Sequence, residues 1–237
     1  YIIAKQRLLK EAENFGEFKT IKGYGPEDLP KKFIQKYNKI LNLPRGGGYW
    51  IWRPIILKTK LEAMKDGEFL VYLDAGCTLN KSGKDRFNEY ISMLEQSEYG
   101  IMSFSMSGNN DCGGFHPDKV WTTDQIFRYF DISLDSEDAM SGQYCGGILV
   151  MKKNAHLLKI IDLFIKTLEH DPLMFTDQYN SLSQHPGFID NRHDQSVFSL
   201  LRKKYGSVVI DGDESYVVPF GQGESLKYPF WATRSKR

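Results

Sequence analysis

The chain has 237 residues, of which 41% are hydrophobic and 26% charged, and a formal net charge of +1. That length holds one α/β domain with a real core and leaves little room for two. The near-neutral charge excludes a strong field toward nucleic acid or an anionic membrane, and no apolar run approaches the roughly 20 residues of a membrane span.

In chain order, residues 2–14 read as a helix with Ile2, Ile3, Leu8, Leu9 and Ala12 apolar. Phe18 to Ile21 is a short strand candidate, and 23–30 carries turn chemistry. Lys32 to Leu41 reads as a second helix. Pro44-Arg45-Gly46-Gly47-Gly48 is a loop, flexible at its glycines. Trp52 to Met64 is helical, with Pro54 tolerated in the first turn. Phe69 to Leu73 is an apolar run that fits a strand buried on both faces, as in a parallel sheet.

Asp85 to Gln96 is the next helix and Gly100 to Phe104 the next strand. A polar, glycine-rich loop follows to Pro117. Gly146 to Met151 is a further buried strand. Asn154 caps a long helix whose face is Leu157, Leu158, Ile161, Phe164, Ile165 and Leu168. Arg192 to Tyr205 is helical, and Ser207 to Ile210 is the last clear strand. Alternation of strands and helices predicts one α/β domain over residues 1–237, a three-layer sandwich around a mostly parallel sheet.

Three cysteines, Cys77, Cys112 and Cys145, make neither a disulfide framework nor a zinc pattern. They read as reduced thiols in a cytoplasmic setting. Asn80-Lys81-Ser82 is a formal glycosylation triplet of a kind close to chance.

Five stretches carry candidate chemistry. Asp74 follows the Phe69–Leu73 strand and precedes Ala75-Gly76-Cys77. In open α/β sheets ligands bind at the carboxyl ends of strands, so Asp74 is placed to anchor a metal bound to a phosphorylated substrate, or else to cap a turn. Asp190-Asn191-Arg192-His193-Asp194-Gln195-Ser196 opens a helix. Asn191 and Asp194 are spaced for a capping box, while His193 has no such structural duty and is a potential metal or phosphate ligand. Gly48-Tyr49-Trp50-Ile51-Trp52-Arg53-Pro54 offers aromatic rings for stacking and a guanidinium for a diphosphate, or simply an aromatic helix start. Lys58 lies one turn beyond Arg53. Asp124 sits at another helix start, where it either meets sugar hydroxyls or complements the helix dipole. Gln143 and Gly146 lead into the fourth strand.

The order of these motifs resembles GT-A-fold, nucleotide-sugar-dependent glycosyltransferases, distantly the glycogenin-like ones. The closest likeness is to a bacterial and viral group marked by the Gly48–Pro54, Tyr72–Cys77, Arg192–Ser196 and Pro229–Ala232 segments. The resemblance spans nearly the whole chain. It implies transfer of a sugar, from a UDP-sugar foremost, to a glycan or other hydroxyl acceptor in a bacterium or a virus-infected cell. It implies a divalent metal, Mn2+ or Mg2+, on the donor diphosphate. Asp74 fills the first position of the metal motif, but Gly76 stands where the second carboxylate belongs, so His193 is the expected second ligand. Trp50, Arg53, Lys58, Asp74, Ala75, Gly76, Gln143 and Gly146 are then expected around the donor. Asp194, Gln195 and Asp124 are the expected catalytic residues, with retention of anomeric configuration slightly preferred. The strand that cradles the base in such folds is expected before the helix at the start of this sequence. A non-catalytic sugar-nucleotide-binding domain and a sugar nucleotidyltransferase remain open alternatives.

Overall fold

The computed structural model of the protein describes residues 2–109 and 112–236. Helices α1 (Ile2–Phe15), α2 (Lys31–Leu41), α3 (Gly46–Tyr49) and α4 (Arg53–Glu62) precede the strands β1 (Phe69–Leu73) and β2 (Thr78–Leu79). Then come α5 (Lys84–Glu95), β3 (Met102–Ser105) and the short helices α6 (Asp118–Trp121), α7 (Asp124–Phe130) and α8 (Glu137–Met140). The chain continues through β4 (Ile148–Lys152), α9 (Ala155–His170), α10 (Asp194–Tyr205), β5 (Val208–Asp211) and β6 (Phe230–Trp231). The alternation of helix and strand is the expected one. Phe18 to Ile21, expected as a strand, forms none.

The mostly parallel sheet does not form. β3 and β5 pair in parallel, whereas β1 pairs antiparallel with β4, and β2 antiparallel with β6. Isolated antiparallel bridges, Ile101 to Met151 and Ser105 to Tyr144, lay β3 beside the β4 segment as well. β4 therefore runs against β1, β3 and β5. The reason lies in the connection. A parallel return needs a crossover that packs back across the sheet. Between β3 and β4 the chain instead makes a loop and three short helices, then comes back alongside β3, with Met106 N bonded to Gln143 O and Cys145 N to Phe104 O.

β4 is the central strand, and its alternation divides the core in two. Leu149 and Met151 join a cluster with residues of α2, α4, α7, α9 and α10, while Ile148 and Val150 join one with Phe15, Phe87, Tyr90 and Phe104. All four strand residues are fully buried. β1 is only half-buried along its length, because among the described residues it is paired on one side alone.

Local signals account for several boundaries. Asn154 Oδ1 accepts the Leu157 amide at 2.8 Å and starts α9. The expected capping box of Asn191 and Asp194 is absent; Asn191 Nδ2 instead donates to the carbonyls of Met174 and Thr176, and His193 occupies the cap position. Asn80 is buried and donates to two carbonyls, so the glycosylation triplet is a structural turn. All three cysteines are buried. Among the described residues no helix is long and apolar enough to cross a membrane.

Candidate functional site

Arg53 opens α4 and is 2% exposed. Its guanidinium is claimed on three sides. Nη2 donates to Asp74 Oδ1 at 3.0 Å, Nη1 donates to Asp194 Oδ2, and Nε donates to the Tyr72 hydroxyl at 3.2 Å. Tyr72 in turn donates to Asp74 Oδ1 at 2.6 Å. One delocalised cation thus holds two carboxylates, one from the end of β1 and one from the start of α10. Planar, forked donors suit this task in a way a lysine does not. Burial pushes the Asp194 carboxyl up to about 7, with the Arg53 charge pulling it down and Asp74 adding to the upward shift. Asp74 is the exposed member, its side chain 34% accessible, and among the described residues nothing bonds its Oδ2.

Two glycines let the strands close on this cluster. A Cβ on Gly147 would lie 2.9 Å from Asp74 Oδ2, and one on Gly146 would lie 3.2 Å from Arg53 Nη1. The Gly146 amide donates to Gln195 Oε1 at 3.0 Å, and Gln195 Nε2 donates to Gln143 Oε1 at 2.6 Å. Gln143 Nε2 then donates to Asp118 Oδ1 at 2.9 Å. Asp118 is wholly buried, paired to Lys203 at 2.9 Å and bonded by Ser199. Both amide ends of Gln195 are therefore engaged within the protein. Sequence reading found Gln143 and Gln195 but missed Asp118, which holds the row together; an Asp just after Pro117 reads as an ordinary first-turn acid.

His193 belongs to a second cluster. Its Nε2 donates to Asp177 Oδ1 at 2.7 Å, and Tyr49 donates to Asp177 Oδ2 at 2.9 Å. The His193 ring lies 4.8 Å from that of Tyr49 and 5.9 Å from that of Trp50. Burial lowers the imidazole pKa below its usual value, against the pull of Asp177. The backbone here is strained: His193 has φ 60° and ψ −126°. The loop expected at 44–48 is in fact ordered. Gly46 to Trp50 all have positive φ, and Tyr49 N bonds Arg45 O at 2.7 Å, so α3 is one left-handed turn. Three glycines make that possible, because the left-handed helix is costly only for residues with a Cβ.

The structure brings together Arg53, Asp74, Asp194, Gln195, Gln143 and Gly146 from the expected set, and sets Trp50 beside His193. It does not bring Lys58, whose ammonium is held by Asp162 of α9 at 2.7 Å. Asp124 is also elsewhere, paired with His185 and Arg128. The Ala75 carbonyl accepts from Arg7 at 3.4 Å. Gly76 has a packing reason for its missing side chain. Its Cβ would lie 3.2 Å from Arg234 Cα, and its carbonyl accepts from Ser235 N and Thr233 Oγ1. The C-terminal segment fills the place of the expected second carboxylate.

The donor set expected for manganese or magnesium does not assemble. His193 Nε2 is taken by Asp177, Asp74 Oδ1 by Arg53 and Tyr72, and among the described residues no group of three or more potential ligands is placed to hold a metal. Arg53, saturated by its own carboxylates, is not a free phosphate ligand.

No known family, curated protein or solved structure matches the chain. Chemically, the arrangement presents one open carboxylate oxygen on a rigid buried frame, beside a small-residue floor. Such an oxygen accepts hydrogen bonds from hydroxyl groups and can bind or orient a polyol.

Proposed function

We propose that the protein transfers a glycosyl group from a nucleoside-diphosphate sugar, a UDP-sugar foremost, to a hydroxyl of a glycan or other acceptor. The observation that supports this reading is the convergence of the motifs on which the resemblance rests. Arg53, Asp74 and Asp194 are 21 and 141 residues apart along the chain, yet are joined by direct hydrogen bonds. In the transfer, the bond between the anomeric carbon and the phosphate oxygen breaks. The diphosphate leaves with the electron pair, while the acceptor oxygen bonds to the carbon and its proton passes to the departing diphosphate. Asp74 Oδ2 accepts a hydrogen bond from a sugar or acceptor hydroxyl, and Arg53 and Tyr72 hold the carboxylate in place through Oδ1. Asp194 fixes Arg53 from behind, and Gln195 fixes Gly146. Retention of anomeric configuration follows from the resemblance of Asp194-Gln195 alone, and no step is routed through a metal.

A thermal-unfolding panel of UDP-, GDP- and TDP-sugars, with and without manganese, tests the reading, because a ligand specific to the native state raises the midpoint. One nucleotide class should raise it, and incubation with that donor should release or transfer sugar. No shift and no turnover with any donor would remove the proposal. A shift with no turnover, even with added acceptors, would favour a non-catalytic binding domain. The manganese arms show whether Asp74 Oδ2 takes a cation together with the donor.

A further inference from the structure

Four half-buried side chains that the transfer leaves unused meet on one wall: Met106, His116, Trp121 and Arg192. Trp121 ends α6, and its indole is the hub. The Arg192 guanidinium lies over it, 4.0 Å from the ring centre, and the His116 ring meets it edge-on at 5.7 Å. Arg192 Nη1 also reaches Met106 Sδ at 3.2 Å.

Hydrogen bonds fix the parts of this wall. The Trp121 carbonyl accepts the Ser196 hydroxyl at 2.6 Å and the Arg192 amide at 3.2 Å. His116 N donates to Met106 O at 2.9 Å, and Gln143 N donates to His116 O at 2.8 Å. The turn that carries Arg192 also supplies Asp194 and Gln195, and the Gln143 side chain bonds both Ser196 and Gln195. The wall is thus built onto the same residues that frame the Asp74 cluster.

Two properties point to a ligand. Among the described residues the Arg192 side chain forms no salt bridge and no hydrogen bond to oxygen; its partner is a thioether, a weak acceptor. Its other N–H donors are left for water or a ligand. The indole, large and apolar, stays half-exposed while a stacked cation holds it rigid. Apolar surface with a few placed polar groups is the composition of a small-molecule subsite. The combination selects a hydroxylated ring. A sugar offers a C–H face to the indole and thioether, and hydroxyl oxygens to the guanidinium. One guanidinium between an indole and a thioether is too little charge for a diphosphate.

We propose that Met106, His116, Trp121 and Arg192 bind a neutral sugar ring, and that this ring is the acceptor of the Asp74 site. The sugar subsite stands on the geometry of the wall; its assignment to the acceptor rests on the transferase reading.

The test is ligand-observed saturation-transfer NMR titration of the 237-residue chain. The probes are the methyl α- and β-glycosides of glucose, galactose, mannose and N-acetylglucosamine. At least one should bind. Trp121→Ala and Arg192→Gln should each weaken that binding about tenfold or more. Lys227→Gln, in a solvent-exposed pair with Glu224, should leave it unchanged. Arg192→Gln keeps the amide that bonds the Trp121 carbonyl, so it decides the matter where Trp121→Ala impairs folding. No binding of any glycoside by the wild type, or wild-type affinity in either folded variant, overturns the subsite. In a transfer assay both variants should raise KM for the acceptor and leave KM for the donor unchanged; a purely structural role would move both. The two readings separate cleanly. Glycoside binding that depends on Trp121 and Arg192, without sugar transfer, upholds the subsite and removes the transferase. Sugar transfer with an unchanged acceptor KM in both variants removes the subsite and leaves the transferase.

Discussion

Arg53 is buried between Asp74 and Asp194, and its removal strands two acidic groups. Breaking a buried pair by deleting one partner costs about 3–5 kcal/mol. Arg53→Ala should therefore lower the unfolding free energy from urea titration by an amount of that order, with a lower midpoint, and Arg53→Lys should recover only part, since a point charge cannot serve both carboxylates at once. An unchanged midpoint in Arg53→Ala would mean that the guanidinium is not the keystone of the cluster. Asp213 offers a pH test. Burial pushes its carboxyl up to about 6, against hydrogen bonds from Ser215. A folded pKa above the unfolded one means that the native state binds the proton more tightly. This contribution to stability is full below about pH 4 and is lost as pH rises through about 6. Over that window it is worth on the order of 2–3 kcal/mol. Asp213→Asn removes the titration, so the wild-type minus variant difference in unfolding free energy should fall between pH 4 and 7; a flat difference would show that Asp213 titrates normally. At this scale the sequence was informative about identity and silent about partnership. Arg53, Asp74 and Asp194 stand out as chemical residue types in dense motifs. That Arg53 spends its charge on the other two is invisible, because the partners are 21 and 141 residues away.

The left-handed turn of α3 is the element least readable from sequence. Three consecutive glycines announce conformational freedom, and freedom reads as a loop. The structure uses it for a single ordered conformation that aims Tyr49 at Asp177 and sets Trp50 against His193. The glycines are not equivalent. A Cβ on Gly47 meets only Trp52 Nε1, at 3.7 Å, so Gly47→Ala carries the left-handed penalty alone, about 1–2 kcal/mol. A Cβ on Gly48 would sit 2.6 Å from Leu41 Cα and 2.9 Å from Ile40 O, both backbone atoms that cannot swing away. Gly48→Ala should thus destabilise clearly more than Gly47→Ala by chemical denaturation; equal costs would contradict the left-handed packing. The long helices were legible because a 3.6-residue apolar period is written directly in α9 and α10. Strand direction was not, since a buried strand has the same composition whichever way it runs. The short helices after β3, not the apolar run of Ile148–Met151, decide that β4 returns antiparallel.

Across the whole molecule, the candidate site is assembled from distant parts of the chain. β1 and β4 bring Asp74 to Gly147, α4 and α10 bring Arg53 to Asp194, and the C-terminal segment closes over Gly76. That last contact explains a residue that local reading could only count as a defect. Gly76 lacks a carboxylate because Arg234 packs where it would project. The same segment carries β6, whose pairing with β2 ties residues 230–231 to 78–79. The central claim is that Asp74 is the open carboxylate of a sugar-nucleotide site. Asp74→Asn tests it most directly, because an asparagine oxygen can still accept from Arg53 and Tyr72 while the charge is gone. Sugar transfer or release is measured with the donor that most stabilises the wild type, alongside the thermal midpoint of the variant. The account predicts a loss of at least a hundredfold in rate with the fold retained. A variant that turns over like the wild type would contradict it.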